Sequence, residues 1–244
     1  MLSDAHFHIK QTDFYSLLKD ESIFGILNCD SKAEFDQHQK RLCKDSKVIL
    51  SAGIHPWKAG ESDWKEMETC FQQVAVIGEI GLDSIWCEVD MDVQMTIFKQ
   101  QLAYGVTHKK PVILHTKGME KEIAEIIKEY PNRYLVHWYS SMDHLDAYIE
   151  QDCYFSIGPS FATDAAVKQV VEKVPLNRLL VESDGIEAMN WAVEREIQVG
   201  NYVEMLTNTF NYLAKKKNIK IETAIDCVKE NLEFFIWTGN ENES

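Results

Sequence analysis

The sequence predicts an α/β protein built as a (β/α)8 barrel, and three observations carry that expectation. Eight short apolar runs, rich in β-branched and aromatic residues, alternate with amphipathic segments along the 244 residues. Neither a long linker nor a low-complexity tract interrupts the alternation. Six residues with metal-binding side chains, His6, His8, Glu79, His115, His137 and Asp184, fall at or just beyond the C-terminal ends of those runs, the end at which barrel enzymes place their chemistry. A doubly wound open sheet shows the same alternation, and the barrel is the expected architecture of the two.

The first run, 2–9, contains Ser3-Asp4-Ala5-His6-Phe7-His8-Ile9. Side chains on a strand alternate with period two, so His6 and His8 share a face and two imidazoles converge on one point. The runs at 24–29 and 48–54 follow, the latter leading into Gly53-Ile54-His55-Pro56. The fourth, 74–81, ends in Gly78-Glu79-Ile80-Gly81, an acid set in apolar strand between two glycines that let other groups approach its backbone. In 91–108, Met91, Met95, Phe98, Leu102 and Val106 recur at steps of three and four, one face of a helix laid on the sheet. Further strands are expected at 111–116, ending in His115, at 134–139, carrying His137, at 153–158 and at 179–183, the last running into Asp184. A long helical pattern through Ile197, Val199, Val203, Leu206, Phe210 and Leu213 then leads past Lys215-Lys216-Lys217-Asn218 to a last helix ending near Phe235 and Trp237. The expected organisation is one barrel domain over 1–239 with a frayed acidic tail at 240–244.

Composition narrows the function. Thirty-nine acidic against 25 basic side chains give a formal net charge of -14, which excludes a protein that coats nucleic acid through a broad basic surface. It leaves room for a small cleft whose positive charge comes from bound metal. Six cysteines lie far apart with no Cys-x-x-Cys pair, against a zinc ribbon or redox motif. The chain enters its first strand at once, and no stretch approaches the length of a membrane span, so a cytoplasmic location without membrane contact is expected.

Five of the eight histidines, His6, His8, His55, His115 and His137, sit at strand ends, whereas His38, His108 and His144 lie in helical stretches and are expected at the solvated surface. Imidazole and carboxylate ligands suit Zn, Mn, Fe or Ni, and four histidines with two acids suffice for two ions sharing a carboxylate. Asp184 also suits a proton acceptor for an attacking water. Glu182 alternates to the same face, so it is a candidate to support Asp184 or to exchange roles with it. Asp83 is read as tying down the following loop.

Segments along nearly the whole chain resemble the TatD family of metal-dependent deoxyribonucleases, within the wider amidohydrolase-like barrels. They are Asp4-Ala5-His6-Phe7-His8, Gly53-Ile54-His55-Pro56, Gly78-Glu79-Ile80-Gly81-Leu82-Asp83, Gln94 with Phe98 to Leu102, Lys110 to His115, His137, Tyr154-Phe155-Ser156 and Arg178 to Asp184. The resemblance implies two divalent ions (Mg, Mn or Zn). His6, His8, Glu79 and Asp184 would hold one; Glu79, His115 and His137 would hold the other. Glu79 and Asp184 would be the catalytic acids and His55 would donate to a substrate phosphate. DNA would be the substrate of a monomeric exonuclease.

The chain departs from the family pattern at the substrate rim. Trp138-Tyr139-Ser140-Ser141 replaces a loop that is usually small or cysteine-containing, Ser183-Asp184-Gly185-Ile186 replaces Thr-Asp-x-Pro, and Lys117 stands where an arginine is frequent. Lys117 and Trp138 are therefore candidate substrate contacts, and Trp86, Trp138, Tyr139 and Trp191 are candidates for a platform that stacks unpaired bases. Other readings stay open: an amide, ester or small phosphoester hydrolase, or a nuclease subunit active only with protein partners in a DNA-processing or defence assembly.

Overall fold

Eight strands form one sheet in which each neighbouring pair runs parallel and spatial order follows sequence order: β1 (Ser3–Phe7), β2 (Phe24–Cys29), β3 (Val48–Ala52), β4 (Val76–Asp83), β5 (Val112–Lys117), β6 (Tyr134–Val136), β7 (Tyr154–Ile157) and β8 (Leu179–Val181). Each strand falls on one of the expected apolar runs. The structure is a computed structural model that describes residues 1–42 and 44–237. Cys43 and the tail expected at 240–244 lie outside the described residues.

Among the described residues ten α-helices cover the sheet: α1 (Phe14–Asp20), α2 (Lys32–Arg41), α3 (Trp64–Phe71), α4 (Met91–Thr107), α5 (Glu120–Ile126), α6 (Leu145–Ile149), α7 (Ala165–Lys173), α8 (Ile186–Val193), α9 (Tyr202–Lys217) and α10 (Ile221–Trp237). The strands are buried nearly throughout because the barrel interior covers one face and helices cover the other. Short polar side chains set the helix starts. Ser31 accepts from the Glu34 amide, Asp63 from Lys65 and Glu66, Asp90 from Asp92, and Asp164 from Ala166 and Val167. Each such cap contributes about 1 kcal/mol. Asn218 in the left-handed region ends α9, whose last turn carries Lys215, Lys216 and Lys217 against the negative pole of the helix.

β8 and β1 meet at the seam of the nearly closed barrel, where the Asp184 amide donates to the His6 carbonyl at 3.0 Å. Asp4 ties the seam from inside. Its fully buried carboxylate accepts from the Ser183 amide (3.0 Å), the Ser183 hydroxyl (2.5 Å) and Tyr202 Oη (2.7 Å) on α9. Burial pushes the Asp4 carboxyl up to about 7, against the lowering pull of these hydrogen bonds.

Three expectations change once the helices are in place. In α4 the buried stripe includes Phe98 and Leu102 as expected, but Gln94 and Gln101 are also buried while Met91, Met95 and Val106 are half-buried. Each glutamine holds a loop. Gln101 brackets Ile54 through its amide and carbonyl, and Gln94 accepts from the Asp83 amide while donating to Val89. After β8 the chain first forms α8, and the long helix starts at Tyr202, not near Ile197, which is buried in the connection. His38 is also not at the surface. It is 2% exposed on the inner face of α2, where Tyr15 Oη lies 2.5 Å from its Nδ1.

Candidate metal centre

Glu79 organises the centre. It lies mid-strand in β4, where the pairing with β5 shifts register between Ile77 and Ile80, so it is deeper than the strand-end position expected. The flanking glycines have the predicted use: a Cβ at Gly81 would sit 1.9 Å from the His115 carbonyl oxygen and one at Gly78 2.7 Å from the Ile113 Cβ, while just past β3 one at Gly53 would sit 2.4 Å from the Glu79 carbonyl oxygen. Only hydrogen at these positions lets the three strands approach closely enough to converge their side chains.

The two carboxylate oxygens of Glu79 face different imidazoles. Oε2 lies 3.3 Å from His6 Nε2 and 3.7 Å from His8 Nε2. Oε1 lies 2.6 Å from His137 Nε2, 2.8 Å from His115 Nδ1 and 3.5 Å from His55 Nε2. Asp184 completes the Oε2 side, its Oδ1 3.5 Å from His6 Nε2 and 3.8 Å from His8 Nε2. His6 and His8 thus share a face, as period two required. Ligand-type atoms converge within 4.8 Å in three sets: His6, His8 and Glu79; His6, His137 and Asp184; and His55, Glu79 and His115.

His6 is fully buried, yet neither of its ring nitrogens is aligned for a hydrogen bond; His137 Nδ1 and both Glu182 oxygens likewise lack an aligned hydrogen bond. Buried polar atoms are normally hydrogen-bonded. Buried ring nitrogens and carboxylate oxygens that crowd together without hydrogen-bond alignment fit a divalent cation at their centre, and the donor set of imidazole and carboxylate suits one.

The electrostatics match. Burial opposes ionisation of Glu79, but the charges of His137 and His55 and hydrogen bonds from His115 and His137 hold its carboxyl well below the usual range. Burial lowers the histidines, and the neighbouring carboxylates more than reverse it: His6, beside Asp184 and Glu79, is raised to about 10, and His137, beside Glu79 and Glu182, well above its ordinary value. His6 and His137 therefore favour their protonated forms, and a cation would have to displace those protons. His115 Nε2 contacts Asp83 Oδ2 at 3.2 Å, and Asp83 also accepts from Trp57 Nε1 (2.7 Å) and, through Oδ1, from the amides of Ile85 and Trp86 (2.8 Å each). Asp83 ties down its loop as expected and orients His115 as well.

Of the nine site residues expected from sequence, His6, His8, Glu79, His115, His137 and Asp184 come together. His55 stands beside them, its Nε2 3.5 Å from Glu79 Oε1. Lys117 and Trp138 stand at the rim, where Lys117 Nζ donates to Ser140 Oγ at 3.0 Å and Trp138 Nε1 to Ser160 Oγ at 2.8 Å. Tyr139 does not belong to a stacking platform: it is 1% exposed, and its hydroxyl donates to the Asp143 carbonyl. Sequence reasoning missed Trp57, although it follows His55-Pro56 directly. A separate cleft of 840 Å³ opens beside Arg133, Asp152, Arg178 and Asn231 at the far end of the barrel. There Asp152 neutralises Arg178, and Arg133 is spent on the Phe235 carbonyl, so it gathers no comparable chemistry.

A parallel eight-stranded barrel with a histidine and carboxylate cluster at its mouth defines a metal-dependent hydrolase. Residues 3–236 match the model of TatD-related DNases, and the chain belongs to that family. An uncharacterized metal-dependent hydrolase of Buchnera aphidicola subsp. Baizongia pistaciae is 25% identical over 247 residues, covering 96% of this chain and 92% of its own. The human 3'-5' RNA nuclease TATDN2 is 23% identical over 217 residues, 83% of this chain but 28% of that longer protein. Among solved structures, YJJV, a TatD homologue from Escherichia coli K12, superposes with a TM-score of 0.78 at 17% identity, covering 97% of each chain, and confirms the barrel. Among the described residues no helix is long and apolar enough to cross a membrane.

Proposed function

We propose that the protein is a metal-dependent deoxyribonuclease that hydrolyses phosphodiester bonds at strand ends, using two divalent ions (Mg, Mn or Zn) that share Glu79. The observation that carries this reading is the division of Glu79: Oε2 towards His6 and His8, Oε1 towards His115 and His137. With Asp184 on the first side, His6, His8, Glu79 and Asp184 would hold one ion, and Glu79, His115 and His137 the other. Ions bound there supply an activated water at neutral pH and offset charge on the phosphate.

The protein's own residues do the rest. Asp184 is 21% exposed at its side chain and sits in the left-handed backbone region beside the seam, so its carboxylate reaches the open mouth and accepts the proton of the attacking water. His55, on the Oε1 side, faces the incoming phosphate and donates to it. Lys117, at the end of β5, offers a single ammonium to the backbone of the strand, a point charge where an arginine would offer a fork. With a net charge of -14 the surface supplies little phosphate neutralisation of its own, which fits a local contact with a strand end better than a long footprint.

The family is described as DNases, while one relative is named an RNA nuclease, so both polymers belong in the test. End-labelled single-stranded DNA and RNA are incubated with Mg, Mn or Zn and wild type, Glu79→Ala or Asp184→Asn. The reading expects DNA laddering from one end, abolished in both variants. Cleavage that survives Glu79→Ala, or is confined to RNA, overturns it.

A further inference from the structure

Three tryptophans from separate parts of the chain meet over the mouth. Trp86 lies in the loop after β4, Trp138 immediately after β6, and Trp191 in α8 after β8. In a closed barrel ordered β1 to β8, the ends of β4 and β8 are diametrically opposed, yet the rings of Trp86 and Trp191 are 6.4 Å apart and those of Trp138 and Trp191 are 5.9 Å apart, both edge-to-face. The array therefore crosses the opening and does not merely line it.

Two of its three members are anchored. The Trp138 ring lies on the backbone of Gly158, where a Cβ would meet it at 2.6 Å, and its Nε1 is held by Ser160. The Trp86 loop is fixed by Asp83, which also contacts His115 of the metal centre. Trp191 nevertheless remains 67% exposed and Trp86 53% exposed, large apolar rings facing water. Lys117 Nζ sits 4.3 Å above the Trp86 ring and bonds Ser140 in the Trp138 loop, which places a cation beside the array.

We propose that Trp86, Trp138 and Trp191 form a base-stacking subsite for the unpaired terminal nucleotide of a nucleic acid strand, with Lys117 beside the adjoining phosphate. This rests on the phosphodiesterase reading and says which residues of this chain would take the terminal base. A polyanion gains little from the acidic surface, so its affinity must come from contacts that need no phosphate neutralisation, and stacking on indole is one. Ring faces are available on an unpaired terminal base and are covered within a duplex.

Binding and cleavage together test it. Metal-free protein is titrated with short single-stranded oligonucleotides that differ only in whether the terminal nucleotide, 3' or 5', carries a base, read by tryptophan fluorescence and by the anisotropy of a dye at the other end. Wild type is expected to quench and to prefer the base-bearing strand by about tenfold. Trp191→Ala should remove that preference while leaving the abasic strand unchanged, and Trp191→Phe should restore most of it. Equal affinity of wild type for both strands, or equal weakening of both by Trp191→Ala, overturns the subsite. Metal-loaded wild type cleaving both strands equally well leaves a nuclease without this subsite. Base-dependent binding with no cleavage in any metal retains the subsite and sinks the nuclease reading.

Discussion

Glu182 Oε1 stands 3.5 Å from His137 Nδ1, and the Glu182 side chain is fully enclosed with neither oxygen in an aligned hydrogen bond. A carboxylate is costly to bury without a partner, so its placement behind a histidine whose Nε2 faces Glu79 has a clear use. It keeps the proton of His137 on Nδ1 and leaves Nε2 free for a cation. Glu182→Gln keeps the shape and an acceptor but loses the charge. Zinc affinity, read by competition with a chelator, should fall by about 10- to 100-fold, with much of the activity regained at saturating metal. Unchanged affinity would leave Glu182 without this role.

Metal binding should release protons, and its pH dependence has a fixed sign. His6 is raised from 6.5 to about 10, so it is charged at neutral pH in the metal-free protein. A raised histidine contributes stability that is complete below its unfolded value of 6.5 and is lost as pH climbs towards 10. A bound cation replaces that proton and escapes the loss. The melting temperature of zinc-loaded protein should therefore draw away from that of metal-free protein as pH rises above about 6.5. A gap that narrows instead would contradict the assignment of His6 as a ligand.

His38 sets an opposite slope. Burial first, then the charges of His8 and Arg41, lower it from 6.5 to about 4. The unfolded chain then binds more protons than the native one between those values, so its contribution falls as pH falls. His38→Gln, which retains an acceptor for Tyr15, should gain on wild type by at most about 3 kcal/mol in urea unfolding as pH is lowered from 6.5 to 4. Comparing the two proteins cancels Asp4, whose raised carboxyl has the reverse slope. Parallel curves would show that His38 is protonated in the fold.

Gly81→Ala should be intolerable. Its Cβ would lie 1.9 Å from the His115 carbonyl oxygen, so β4 and β5 must part at the centre. A loss beyond about 4 kcal/mol, or insoluble protein, is expected. Gly200→Ala is the control: a Cβ there meets nothing within 4 Å, and the change should stabilise by about 0.5 kcal/mol through the unfolded chain. Similar melting temperatures for the two variants would deny the close approach.

Much of this was legible before the structure. The apolar runs gave all eight strands because buried parallel strands need continuous apolar sequence, and the period of a strand placed His6 and His8 together. Helix faces were less legible. Gln94 and Gln101 lie outside the apolar stripe read from the spacing, yet their amides are buried to hold loops that the periodicity does not contain. His38 and Tyr139 were misplaced for a related reason: a single polar atom paired inside the fold, to Tyr15 in one case and the Asp143 carbonyl in the other, reverses the preference of the residue type.

Local order along the chain, then, determined the strand and helix alternation, the helix starts and the ligand types at strand ends, because propensity, periodicity and capping act over a few residues. Barrel closure decided what depends on residues far apart in sequence. It set Oε1 of Glu79 against His115 and His137 and Oε2 against His6 and His8, brought Glu182 behind His137, and carried Trp191 across the mouth to Trp86. Those relationships are fixed by strand register and by a seam between the first strand and the last, and no stretch of sequence contains both sides of either.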